Sequence, residues 1–209
     1  MSSEWQDRWE ERYASVGRLW SGEPNEHLTD LAAGWRPGHS LDLGCGEGDD
    51  VLWLASRGWR AMGVDVSPTA VARLRSRSAE RGLTGVEGAV VDLAAEPLPA
   101  GPFELVTSFF VHGGPSEGSI LLEDVLVQAA ARVVARGRLL TAVHCVNPPW
   151  HRHHSRSFRP EVLAADVLAR LPEGAWEVET CAERWRDVTG PDGEAGRRSD
   201  GVVCWRRLS

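Results

Sequence analysis

The stretch "LDLGCGEGDD" (residues 41–50) places three alternating glycines, Gly44, Gly46 and Gly48, between a short apolar run and the start of a helical pattern. Glycines at a strand-to-helix turn let the backbone reach conformations closed to other residues and leave no Cβ between it and a ligand. This turn requires a strand before it and a helix after it, so it commits the chain to an α/β fold.

The chain from Ser40 onward keeps that commitment by alternating short β-like runs with helical stretches, the pattern of a parallel sheet covered by helices. After Leu41–Leu43, the apolar positions Val51, Leu52, Leu54 and Ala55 predict a helix that Gly58 ends. "RAMGVDV" (60–66) predicts the second strand, and Ser67 with Pro68 supplies an N-cap and a first helical residue. "VEGAVV" (86–91) and "FELVTSFF" (103–110) are the third and fourth strands. Ile120, Leu121, Leu122, Val125, Leu126, Ala129, Val133 and Val134 trace a helical stripe that Gly137 is expected to stop. A fifth strand over 138–146, a helix over 160–170 and strands over 176–186 and 201–208 complete the pattern, with "TGPDGEAG" between the last two suited to a hairpin turn. At 209 residues this predicts one domain, residues 1–209, with an N-terminal helical lid segment over 1–38 and a Rossmann-like core over 39–209.

A dinucleotide fingerprint reads G-x-G-x-x-G, but here the third glycine comes one residue early and Asp49 stands in its place. Glu47, Asp49 and Asp50 also crowd the helix start, where a pyrophosphate needs open amides and positive potential. A ligand without phosphate fits better, and a nucleotide-binding oxidoreductase becomes the weaker reading. Asp65, at the end of the second strand, suits two adjacent ribose hydroxyls, and Asp92, at the end of the third, suits an adenine amino group.

"LDLGCGEG", "GVDVS", "VVDL" and "FELVTSFF", in this order, resemble the motifs of class I S-adenosylmethionine-dependent methyltransferases. The lead-in "WEERYASVGRLWSGEPNEHL" resembles the branch containing tellurite-resistance and thiopurine methyltransferases. The resemblance implies a Rossmann-like seven-stranded sheet, mostly parallel with an antiparallel last strand and helices on both faces. It also implies S-adenosyl-L-methionine as cofactor: Asp42, Gly44 and Gly46 at its methionine end, Asp65 and Val66 at the ribose, Asp92 and Leu93 at the adenine, with Phe109 and Trp20 completing the site. Trp20 and Tyr13 would close over it, Tyr13 on the acceptor side, whereas Trp5 and Trp9 are expected to dock an amphipathic helix. The implied activity is methyl transfer to a small-molecule acceptor at O, N, S or a chalcogen oxyanion, and a non-catalytic cofactor-binding sensor is the alternative.

"NPPW" (147–150) carries the letters with which enzymes that methylate DNA amino groups hold the target nitrogen. Those enzymes place the motif after the fourth strand, whereas here it follows the fifth, so it is read as a loop that ends a strand. Thirty acidic residues against 23 basic ones, a formal charge of −7, likewise argue against a nucleic-acid partner. No apolar run approaches the roughly 18 residues of a membrane span, and four scattered cysteines without a C-x-x-C pair fit reduced thiols in a cytoplasm.

His112, just after the fourth strand and before Gly113-Gly114, is the candidate general base. Sulfonium methyl transfer needs a base only where the acceptor must lose a proton. "WHRHHSRSFR" (150–159) follows the fifth strand; His151, Arg152 and Arg156 there are candidate contacts for an anionic acceptor. The imidazoles of His144, His151, His153 and His154 leave a metal as a further option, although none is assigned.

Overall fold

A computed structural model describes residues 4–111, 121–150 and 158–209. Two helices lead in, α1 (Glu4–Ala14) and α2 (Glu26–Ala32), followed by β1 (His39–Leu43), α3 (Asp49–Ser56), β2 (Arg60–Asp65), α4 (Pro68–Glu80), β3 (Val86–Val90) and β4 (Phe103–Phe109). The second half is α5 (Leu122–Ala130), β5 (Val133–Val146), α6 (Pro160–Leu168), β6 (Trp176–Thr189) and β7 (Ala195–Arg207). The sheet has seven strands in the order β3-β2-β1-β4-β5-β7-β6. β1 to β5 pair in parallel, and β7 inserts antiparallel between β5 and β6. The expected Rossmann-like methyltransferase sheet is therefore present.

Local chemistry accounts for the element ends. Asn25 caps α2 by accepting from the His27 amide, and Ser67 caps α4 by accepting from the Ala70 amide with Pro68 at the first turn. Strand alternation divides the core between the two sheet faces. On one face Leu41, Leu43, Val106, Leu139, Val143 and Trp205 meet α5 and α6; on the other Leu105, Leu140, Ala142 and Val202 meet α2, α3 and α4.

One expectation needs correction. Val133 and Val134 were read as the end of the helix before Gly137, but α5 stops at Ala130 and both valines open β5. β-branched residues favour the pleated chain, and Val133 pairs with Phe103 at the edge of β4 before the register shifts. The shift is absorbed at Arg136, φ 66°, next to Gly137. The helical spacing was real, but strand pairing outweighs it. The fifth and last strands also run longer than expected, so β6 and β7 form a hairpin whose tip, beyond the Val146–Ser199 pair, has no β5 partner.

Trp205 is fully buried on β7, and its indole N–H donates to the Ala164 carbonyl of α6 at 3.3 Å. It fastens the inserted strand to the helix layer. Trp205→Ala is expected to lower unfolding free energy by about 3–5 kcal/mol, read as a shifted denaturant midpoint with little change in slope.

Candidate functional site

β1 hands the chain to the glycine turn, where Gly44 and Gly46 adopt φ 70° and 53°. A Cβ on Gly44 would come within 2.6 Å of the Val111 side chain, and one on Gly46 within 2.9 Å of the Tyr13 hydroxyl. Both positions therefore need glycine for conformation and for space. Asp65 fixes the turn from the neighbouring strand: one carboxylate oxygen accepts from the Gly46 amide and the other from the Ser67 amide, each at 2.9 Å. Each oxygen retains acceptor capacity for a further donor.

A cavity of about 520 Å³ opens over this turn at the carboxyl ends of the parallel strands. Gly44, Gly46, Asp65, Val66, Leu93 and Phe109, all expected at the cofactor, lie on its wall together with Tyr13 and Trp20. Asp42 and Asp92 are not wall residues. Asp42 is buried behind the turn, where the Thr107 hydroxyl donates to it at 2.7 Å; Asp92 accepts from the Ala94 amide at 2.9 Å and so shapes the loop that presents Leu93. His112, His151, Arg152 and Arg156, with His153 and His154, lie outside the described residues.

The lead-in segment covers the cavity more completely than expected. Trp5 and Trp9, read as packing residues, also line it, and Trp9 contacts Tyr13 and Trp20 at ring distances of 6.0 and 6.5 Å. The Trp20 indole donates to the Tyr13 hydroxyl at 2.9 Å directly above Gly46. Two carboxylates fasten this cover: Glu10, which the sequence analysis did not single out, and Glu47, which it read only as one of the acids crowding the helix start. Glu10 on α1 accepts from the Thr69 amide at 3.0 Å and from the Ser67 and Thr69 hydroxyls. Glu47, only 2 % exposed, accepts from the Leu19 and Trp20 amides and pairs with Arg73 at 2.8 Å. Only the presence of an acid within the glycine turn signalled Glu47 in the sequence.

Asp42 and Asp65 are buried and Asp50 is half-buried around the turn, and among the described residues none has a cationic partner. Burial, the largest cause, pushes Asp65 up to about 6 despite amide donors from Ser67 and Gly46. Burial likewise pushes Asp50 up to about 7, against the Asn25 amide that it accepts at 2.6 Å. Such a donor set suits a ligand that brings positive charge and hydroxyls, and opposes a pyrophosphate.

The wall also includes His27, Glu26, Phe110 and Arg186, none of which the sequence analysis identified. Donor atoms of Glu26, His27 and Asp200 come within 4.8 Å of one another, a spacing that a metal ion could use. The Arg186 guanidinium already bridges Glu26 and Asp200 at 2.8 Å to each, so a cation is built into that position. Asn147-Pro148-Pro149-Trp150 follows β5 and not β4, as the sequence spacing required.

Residues 41–137 match the family model described as "Methyltransferase domain". A 2-heptyl-1-hydroxyquinolin-4(1H)-one methyltransferase of Mycobacteroides abscessus is 37 % identical over 115 residues, covering 54 % of this chain and 51 % of the relative; the match thus spans about half the length of each. A thiopurine S-methyltransferase of Xanthomonas axonopodis pv. citri is 27 % identical across 95 % of this chain and 92 % of its own. The crystal structure of TehB from Haemophilus influenzae superposes with a TM-score of 0.70 at 16 % identity, covering 98 % of this chain and 67 % of that one. The glycine turn, the aspartate that holds it, the inserted antiparallel strand and these matches agree: the chain has the fold of class I S-adenosylmethionine-dependent methyltransferases, and residues 41–137 resemble their methyltransferase domain.

Proposed function

We propose that this chain transfers the methyl group of S-adenosylmethionine to a heteroatom attached to an aromatic ring of a small-molecule acceptor. The observation that carries the proposal is the single cavity that joins the cofactor turn to an aromatic wall of Trp5, Trp9, Trp20, Phe109 and Phe110. Its volume of about 520 Å³ falls within the usual range for small-molecule sites. Flat rings stack well on such a wall. Two relatives named for a hydroxyquinolone and for thiopurines, both ring systems bearing a nucleophilic heteroatom, support the same acceptor class.

The cofactor supplies a methyl group on a positively charged sulfur. Around it, the second lone pairs of the Asp65 oxygens accept the ribose hydroxyls while the first pairs keep the turn in place. Val66 and Leu93 provide apolar surface for the base. Asp42 from behind the turn and Asp50 from the wall offset the ligand's positive charge, and Tyr13 with Trp20 excludes water from above. His112 follows the wall residue Val111 directly in sequence and is proposed as proton acceptor for acceptors that arrive neutral.

The activity is tested by S-adenosylhomocysteine formation with 2-heptyl-1-hydroxyquinolin-4(1H)-one and a thiopurine. Turnover of at least one is expected; cofactor binding without turnover across a wider panel of hydroxy- and mercapto-heteroarenes would favour a sensor. Asp65→Ala is expected to weaken cofactor binding by about 1–3 kcal/mol in calorimetry, and an unchanged affinity would remove the ribose assignment.

The buried acids also set a pH dependence. Their folded-state values lie above the roughly 3.9 of an unfolded aspartate, so their contribution to stability is complete below that value and is lost as pH rises through about 6 for Asp65 and about 7 for Asp50. A cationic ligand binds the ionised forms and restores what their ionisation removed. Cofactor affinity should therefore fall as pH drops from 7.5 to 5, by up to about tenfold per pH unit for each carboxylate that must ionise. Thermal upshift by the cofactor should be larger at pH 7.5 than at pH 5, and a flat affinity profile would count against the role of the buried acids.

A further inference from the structure

The polar end of the cavity is built around Asp200, whose side chain is 1 % exposed. Strand register explains the cluster. Asp200 on β7 stands opposite His144 on β5 and Arg184 on β6, and the next same-face step along the hairpin puts Arg186 opposite Arg198. Opposed residues share a face, so these groups project together where α2 supplies His27. Asp200 is met by His144 Nδ1 at 2.8 Å, His27 Nε2 at 3.5 Å, Arg186 at 2.8 Å and Arg198 at 3.3 Å. Burial alone would push its carboxyl up, but the hydrogen bonds from His144 and His27 and the charges of Arg198 and Arg186 hold it far below the usual carboxylate range.

Asp200 itself is behind the wall, whereas Arg186 is on it. One terminal nitrogen of Arg186 is held by Glu26 and the other by Asp200, which fixes the plane of the guanidinium. Its Nε is buried and has no hydrogen-bond partner among the described residues. Beside it Phe110, at φ 56°, stacks on His144 with ring centroids 4.3 Å apart. A non-glycine residue held in the left-handed region at a cavity wall is strain retained by its surroundings.

Building on the proposed methyltransferase activity, we propose that Arg186, clamped by Asp200 and Glu26, binds the ionised heteroatom of a weakly acidic heteroaromatic acceptor, an oxyanion or thiolate, while Phe110 and the tryptophans take the ring. Arg186 is the acceptor-binding residue, and Asp200 and Glu26 are positioning residues. The acceptor anion supplies the electron pair of the new bond to the methyl carbon, and the pair of the broken carbon–sulfur bond stays on sulfur. No proton leaves in that step, so an acceptor bound as its anion needs no general base. Arginine suits this position because its charge persists at any working pH and its donors are fixed in one plane.

The test uses the full chain saturated with S-adenosylhomocysteine and follows quenching of the cavity tryptophans by 2-heptyl-1-hydroxyquinolin-4(1H)-one, by a thiopurine, and by the methylated, neutral form of each. Arg186→Gln, which keeps a hydrogen-bonding side chain but removes the charge, should weaken binding of an anionic probe about tenfold or more. The methylated probes should change less than about twofold, as should S-adenosylmethionine affinity, which also reports that the variant is folded. Arg186→Lys should fall between. Equal losses for anionic and neutral probes, no loss for either, or failure of wild type to bind either anion would overturn the assignment. Failure of wild type to bind S-adenosylmethionine would instead remove the methyltransferase reading on which it rests.

Discussion

The carboxylate of Asp65 is the joint on which the cofactor half of the molecule depends. By accepting from the Gly46 amide with one oxygen and the Ser67 amide with the other, it ties the turn after β1 to the start of α4. Amide donors favour the ionised carboxylate, while burial opposes it and wins, leaving the group near 6. A joint with such opposed demands is inexpensive to keep only when something positive lies nearby. Asp42 and Asp50 meet the same condition, so the site holds a reserve of unneutralised acid that a sulfonium and an ammonium group would relieve. Cofactor choice thus follows from burial and charge as well as from the glycine spacing.

The lead-in helix depends on the same joint. Ser67, whose amide donates to Asp65, gives its hydroxyl to Glu10 of α1, and Gln6 donates to the Val66 carbonyl at 3.2 Å. Glu47, within the glycine turn, holds the Leu19 and Trp20 amides. The aromatic cover is therefore attached to the two backbone turns that it shields, and movement of either turn must move the cover.

The glycine-turn side of the cavity was legible in the sequence because it lies in contiguous motifs: a glycine turn after a strand, an aspartate at the end of the next, a capped helix after that. Gly44, Gly46, Asp65, Val66, Leu93 and Phe109 come together as the order of motifs required. The cluster around Asp200 was not legible, because His27 is separated by more than 150 residues from Arg186 and Asp200 and the three share no local pattern. Arg186 reads in sequence as one of several alternating charges on an edge strand, and its place in the cavity wall emerges only from the antiparallel insertion of β7, which sets Arg198 and Asp200 against β6. The same pairing explains the misread of Val133 and Val134, where a contact distant in sequence outweighed a local helical spacing.

The cavity wall combines opposite charge preferences. Acids without a cationic partner among the described residues stand at and behind the glycine turn, while a guanidinium clamped on carboxylates stands on the same wall together with aromatic side chains. Methyl transfer from a sulfonium to an anion turns a positive and a negative reactant into two neutral products. Charge recombination of this kind is favoured where the dielectric is low and water is excluded, because separated charges are most costly there. An aromatic cover therefore raises the energy of the charged reactants relative to the transition state, in which charge is already dispersing. It would give no such advantage to a neutral acceptor that develops positive charge as it attacks. Under the proposed reaction such a cavity would discriminate by the charge change of the reaction as well as by the shape of the acceptor, and a fixed guanidinium would serve that better than a titrating imidazole.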